Sequence, residues 1–359
     1  MDADQILAFR LARSGLASRD AGSLAAAAAC PASDFARDAA LLALNARVEG
    51  LTRAAFDEAT DSGDLVVAHV HRGAIHALQP DDLALWGRAL LARDDDELGA
   101  QLGRQMQQIA AKEKLSLTDA LAEVAAATDD ALARGRRLDK NELHEELRQR
   151  VRPELMPWCR GCGSHHVAPM LWRFATVKVG ARLESGRRYR KAKPGRTPAA
   201  SEAVRRYLGY YGPSKPAEFA EWAGIARPHA RRLWDELEDE LAEAGDGRLL
   251  ERDVKALDSP PAAEGVRLLP AGDPYLQKPN RRLLAPDEEL RKRLFRPVAS
   301  PGAVLKDGRL VGLWRAKAKG RKVELEVEKL GRVSKAALED EAQRIAALRG
   351  AAEAALVVS

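Results

Sequence analysis

Residues 201–250 constrain this chain more tightly than any other stretch. Residues 201–208 and 216–223 read as two helices, Gly224 as a turn, and 228–244 as a third helix opened by Pro228 and closed by Gly245. Helices joined through a short glycine turn form the helix-turn-helix pattern. The third helix is polarised. Arg227, His229, Arg231 and Arg232 stand at its start, and Glu236, Glu238, Asp239, Glu240 and Glu243 follow. A recognition helix touches base edges and phosphates with its N-terminal residues, so a basic start followed by acids is the order it requires. A surface helix in a protein-binding version of the motif would carry the same order, and that alternative stays open.

Short hairpins punctuate the remaining helices. Within residues 64–78, the apolar runs 65–67 and 75–78 flank Arg72-Gly73 and predict two strands around a tight turn. His69, His71, Arg72 and His76 would then form a cationic tip able to enter a nucleic-acid groove or hold a small anion. An ordinary wing with buried, satisfied histidines is the alternative. Helices expected at 2–15, 23–29, 37–48 and 52–59 precede this hairpin, which suggests a winged-helix unit over residues 1–95. Helical patterns at 80–93, 94–113, 117–134 and 139–151, with apolar runs 170–174 and 176–179 read as strands, make 96–198 a second helix-plus-wing unit. Residues 199–258 hold the helix-turn-helix, and Pro260-Pro261 marks a linker. In 262–359, Asp307-Gly308 is a type I′ hairpin signal, residues 323–327 alternate as a half-buried strand, and 334–349 close the chain as a helix. The fold class expected is mainly α with small β elements (α+β): tandem winged-helix units followed by a small C-terminal β-barrel-like domain.

Charge sharpens the functional reading. The net charge is +5, but residues 1–140 carry 16 Lys and Arg against 22 Asp and Glu, while 141–359 carry 42 against 31. The second half is therefore the expected footprint for a polyanion. Between 182 and 196, Arg182, Arg187, Arg188, Arg190, Lys191, Lys193 and Arg196 face only Glu184 in sequence, which points to phosphate contact, with a solvated charged face as the alternative. Arg315, Lys317, Lys319, Arg321 and Lys322 form a second basic group. Three cysteines give no disulfide framework, and neither an N-terminal apolar core nor a run of the roughly 20 apolar residues needed for a membrane span occurs. A soluble, cytoplasmic monomer without a membrane partner is the expectation.

Phosphate-cradling, acyl-transfer and zinc-protease motifs are absent from the sequence. Cys159, Cys162, His165 and His166 match zinc's ligand preference, but all four lie within eight residues, so neither metal nor cofactor is expected. Asp34 lies in a break between two alanine-rich helices. It could orient water for attack on a sugar carbon, or cap the helix that follows.

Several segments carry a family resemblance: Ala46-Arg47, His-Arg-Gly-Ala-Ile-His at 71–76, Leu-Leu-Pro-Ala-Gly-Asp-Pro-Tyr at 268–275, Phe-Arg-Pro-Val at 295–298, and the block 301–315. They resemble the AlkZ-like family of winged-helix DNA-binding proteins, which includes DNA glycosylases that unhook alkylated bases and interstrand crosslinks. The resemblance runs through nearly the whole chain. It implies a C-shaped surface for double-stranded DNA, a hairpin in the minor groove and a role in DNA repair at the nucleoid. Active members carry Gln-x-Gln or Gln-x-Asp roughly a dozen residues before the arginine matched by Arg47. An ungapped count places that motif at Ser33, Asp34 and Phe35, so serine replaces the first glutamine and phenylalanine the second polar residue. Two functions follow: a glycosylase in which Ser33 or Asp34 positions water, or a non-catalytic DNA-binding transcriptional or chromosomal regulator that keeps the fold.

Overall fold

The computed structural model describes residues 2–36, 38–193, 195–319 and 321–359, leaving the side chain of Lys319 aside. Helices account for 50% of the chain and strands for 19%, which makes it a mixed α+β protein weighted towards helix. It divides into two compact units. One comprises residues 1–59, 207–214 and 240–359, and the other comprises 60–206 and 215–239.

The first unit is built on a five-stranded sheet in the order Val266–Leu269, Gly302–Lys306, Arg309–Lys319, Lys322–Lys329, Glu353–Val358. The first three pairings are antiparallel and the last is parallel. Asp307 and Gly308 both adopt positive φ (50° and 78°), the backbone that a two-residue type I′ turn needs. Helix Lys335–Leu348 starts from the Ser334 cap and buries Leu338, Ala342 and Ile345 on one face. It supplies the crossover that a parallel pair requires. The chain therefore ends in strand Glu353–Val358 and not in the helix expected at 334–349. That strand lacks polar alternation, so its sequence carries no half-buried strand signal. Gly302 is dictated by contact: a Cβ there would lie 2.1 Å from the Trp314 Nε1, which donates to the Leu269 carbonyl at 2.9 Å. The core of this unit includes Leu11, Leu16, Leu269, Tyr275, Leu305 and Leu313. Arg10 crosses it with its guanidinium satisfied by the Gly212, Pro213 and Pro279 carbonyls and Asn280 Oδ1.

In the second unit, helices Asp95–Glu113, Leu117–Ala131, Lys140–Arg148 and Pro169–Val179 pack together. Lys140–Arg148 begins with a reciprocal capping box between Asp139 and Glu142. Residues 170–174 and 176–179, read as strands, are in fact one helix with Pro169 at its first turn and Gly180 as a left-handed cap. Leu171, Trp172, Phe174, Ala175, Thr176 and Val177 are all buried there. A helix covered on most sides shows a continuous apolar run and loses the periodicity by which sequence distinguishes it from a strand. Strands Ile75–Leu78, Val66–His69, Ala181–Glu184 and Arg188–Lys191 form one sheet in that order. The hairpin at 64–78 and the basic hairpin are thus joined, through Val67 and Leu183. The third helix of the helix-turn-helix stretch spans only Arg227–Asp235. Residues expected at its C-terminal end belong instead to the first unit, where strand Leu241–Ala244 pairs with Gly247–Leu250 around the Gly245-Asp246 turn. Glycine and aspartate at that turn favour a hairpin over helix continuation.

Candidate functional site

In the first unit, two segments that carry the resemblance are fastened together. Arg47 donates to both carboxylate oxygens of Asp273, at 2.8 and 3.0 Å, and two further donors reach the Ser14 and Ala43 carbonyls. Their side chains are 1% and 0% exposed. Burial alone would push the arginine towards neutrality, but the adjacent Asp273 more than offsets this and holds Arg47 above its ordinary pKa. Asp273 also accepts from the Tyr275 amide, fixing the Gly-Asp-Pro turn. Gly272 of that turn lies against Ser33, since a Cβ there would come within 3.3 Å of the Ser33 Cβ. The turn, Arg47 and Ser33 therefore pack at one place.

Asp34 is buried, and its Oδ1 accepts the Ala40 amide at 3.0 Å. It holds the first turn of helix Ala39–Asn45 in the manner of a cap. The predicted start of this helix, Arg37, lies outside the described residues. Ser33 is half-buried, whereas Phe35 is 72% exposed. Behind them, Cys30 is buried 3.6 Å from the Tyr211 hydroxyl, which also lies 2.8 Å from the Pro274 carbonyl. Burial pushes the Cys30 thiol up to about 12, so it stays protonated and is no nucleophile. Sequence reading assigned no role to Asp273, Cys30 or Tyr211. Only the Gly-Asp-Pro turn offered a signal, because aspartate before proline marks the cap of a helical turn, the role Asp273 takes ahead of Pro274–Leu276.

In the second unit the hairpin turn is tight as expected, with Arg72 and Gly73 both at positive φ (61° and 59°). The cationic histidine tip, however, is absent. His69, His71 and His76 are all buried. His69 bonds the Thr176 hydroxyl at 2.9 Å, and His71 stacks on Trp222 with centroids 4.3 Å apart. Burial pushes His69 down to about 3 and His76 to about 4, and holds His71 well below its ordinary value, so all three are neutral at pH 7. Arg72 alone of the four is exposed. Its stem runs against Gly224 of the helix-turn-helix turn, where a Cβ would meet Arg72 Cγ at 2.5 Å. The glycine thus serves both its own left-handed φ of 69° and the seating of Arg72.

The other basic candidates divide by partner. Arg227 and Arg231 are exposed at the start of the third helix, with Arg231 paired to Asp235 one turn on. His229 is buried 3.4 Å from Glu97, and Arg232 binds the same carboxylate at 2.8 Å. Those two therefore tie the helix to Glu97, His229 from a buried position and Arg232 with its side chain still 39% exposed. In the basic hairpin, Arg190 and the buried Arg182 share Glu184, Arg188 binds Glu142, and Lys191 binds Asp129. The acids missing from the local sequence are supplied by other elements. Arg187 sits at the turn with φ 62°. In the first unit Arg315 donates to the Ala299 carbonyl and lines a groove of about 530 Å³ with Arg296 and Trp314. Lys317 pairs with Glu326 across the sheet. The side chain of Lys319 lies outside the described residues. Among the described residues, Cys159, Cys162 and His166 bring ligand atoms within 4.8 Å of one another, a grouping able to hold a metal ion. Among the described residues, no helix is long and apolar enough to cross a membrane.

Residues 27–348 match the family described as DNA glycosylase AlkZ-like. Curated proteins offer no sequence match. Among solved structures, Streptomyces sahachiroi DNA glycosylase AlkZ is similar, with a TM-score of 0.76 and 21% identity over 100% of both chains. At that identity the likeness speaks for the fold. The family match spans most of the sequence, and the chain belongs to the AlkZ-like DNA glycosylase family.

Proposed function

We propose that this protein binds double-stranded DNA through tandem winged-helix units and acts in DNA repair as a glycosylase with an altered catalytic motif. The Arg47–Asp273 bond carries this reading. It spends a fully buried ion pair on fixing the loop that holds Ser33, Asp34 and the exposed Phe35, the positions matching the family's catalytic motif. Excision of an N7-alkylated guanine breaks the bond from C1′ to the base nitrogen, and the electron pair neutralises the cationic base as it leaves. Water then adds to the oxocarbenium-like carbon and loses its proton to solvent. Ser33 is the group placed to orient that water. Asp34, held by the Ala40 amide, acts as a positioning residue and adds negative charge near the developing cation. Phe35 offers an aromatic face for stacking on an exposed base.

The engagement of Asp34 as a cap also favours a second reading, a DNA-binding regulator without catalysis. Incubation with duplexes containing N7-methylguanine or a nitrogen-mustard crosslink, followed by alkali, separates the two. A glycosylase yields strand breaks that Ser33→Ala reduces by on the order of 10²-fold. Binding without breaks above the protein-free control would leave the regulator.

A further inference from the structure

We infer that Cys159, Cys162, His166 and His144 together hold one structural zinc ion. The chain forms a tight knuckle around the cysteines: strands Trp158–Cys159 and Ser164–His165 pair antiparallel, and the Gly163 amide donates to the Cys159 carbonyl at 2.9 Å. Gly163 takes a φ of 60° to close the turn. Three ligand atoms, two sulfurs and one imidazole nitrogen, already lie within 4.8 Å of one another. His166 is bonded through Nδ1 to the Val167 carbonyl at 2.8 Å, which leaves Nε2 for a metal.

The fourth ligand comes from outside the knuckle, which removes the steric objection to four donors within eight residues. His144, on helix Lys140–Arg148, is 6% exposed, and among the described residues neither ring nitrogen has a hydrogen-bond partner. A buried polar group left in that state loses its water without replacement, so it calls for a partner. The His144 ring lies 5.2 Å from that of His166 between centroids, with Trp172 edge-on at 4.9 Å. Two imidazoles bound to one tetrahedral zinc at about 2.0–2.1 Å have ring centres about 5 Å apart. His165 is excluded, because it is exposed and its ring is turned to Trp158, edge-on at 5.3 Å between centroids. Two thiolates cancel the charge of the ion, and this donor set selects zinc over magnesium or calcium. The ion would staple the knuckle to the helix carrying His144.

The full-length chain, purified without chelator and dialysed into metal-free buffer, should retain one zinc per chain by mass spectrometry of the metal. Cobalt(II) exchanged into it should show a thiolate charge-transfer band and the strong visible bands of tetrahedral coordination. Cys162→Ser should abolish both. His144→Gln should weaken zinc retention against a competing chelator by at least the roughly 10–100-fold that loss of an outer-shell partner costs. Wild-type protein holding no more zinc than Cys162→Ser, with no charge-transfer band, would overturn the site. A dithiol that titrates as two free thiols or a disulfide at full zinc supply would do the same. Zinc retention unchanged in His144→Gln would overturn the four-ligand assignment. Should that variant fail to fold, chelation of wild-type protein gives the answer: its melting temperature should fall, and an unchanged value counts against the site.

Discussion

The Arg47–Asp273 pair shows how one contact can fix a site without touching a substrate. Both groups have left water, and each of the three guanidinium nitrogens has an acceptor. Such a pair adds little over a well-packed apolar pair, yet removing one partner strands a buried charge. Asp273→Ala should therefore destabilise the fold by about 3–5 kcal/mol in urea unfolding, and Arg47→Met combined with Asp273→Leu should recover most of the loss. A single substitution costing under about 1 kcal/mol, the range of exposed pairs, would show that the pair is not the anchor. Asp34 and Ser33 separate in the same way. Asp34 serves the helix as well as any chemistry, so loss of activity in Asp34→Asn conflates the two. Ser33→Ala removes a half-buried hydroxyl without disturbing a cap, and it is the cleaner probe.

At the scale of elements, local turn chemistry was legible and packing was not. Asp307-Gly308 and Arg72-Gly73 formed the turns their residues predict, because two positive φ values are a local requirement. Helix Pro169–Val179 escaped, since burial on most sides erased its period. The histidine tip escaped for a related reason: a run of His, Arg and Gly shows no sign that Trp222 and Thr176 will cover the rings. This burial has a pH consequence. His69, His71 and His76 have folded pKa values depressed below the ordinary 6.5, so the unfolded chain takes up their protons first. Their contribution to stability is complete above about pH 6.5 and is lost as pH falls from there towards 4 and 3. Each histidine adds up to about 1.4 kcal/mol per pH unit to that loss. Urea midpoints should be level from pH 8 to 7 and fall steeply from 6 to about 4.5, and replacing His76 with Gln should flatten the fall. Midpoints that do not change over that range would mean the rings are solvated.

For the molecule as a whole, a net charge of +5 gives a weaker footprint than the basic runs suggest, because the fold spends many cations internally. Arg182, Arg188, Arg190, Lys191 and Arg232 each meet a carboxylate carried by the same unit. That pairing was illegible in sequence, where Glu142, Asp129 and Glu97 lie far from the bases they bind. Phosphate binding by a paired base must first break or share its ion pair, so the gain per residue is small. Among the described residues, exposed Arg72 and Arg227 meet no carboxylate and carry no such cost, and Arg72 is seated against the helix-turn-helix glycine. Duplex affinity measured by fluorescence anisotropy should fall with salt between about 50 and 200 mM, with a log–log slope of about −0.9 per phosphate neutralised. Arg72→Ala and Arg227→Ala should each weaken binding and reduce that slope by about one. Arg190→Ala should leave the slope nearly unchanged and lower stability instead, since it leaves Glu184 with one fewer partner. If Arg190→Ala reduces the slope and Arg72→Ala does not, the DNA lies along the basic hairpin and the division between paired and exposed bases does not govern binding.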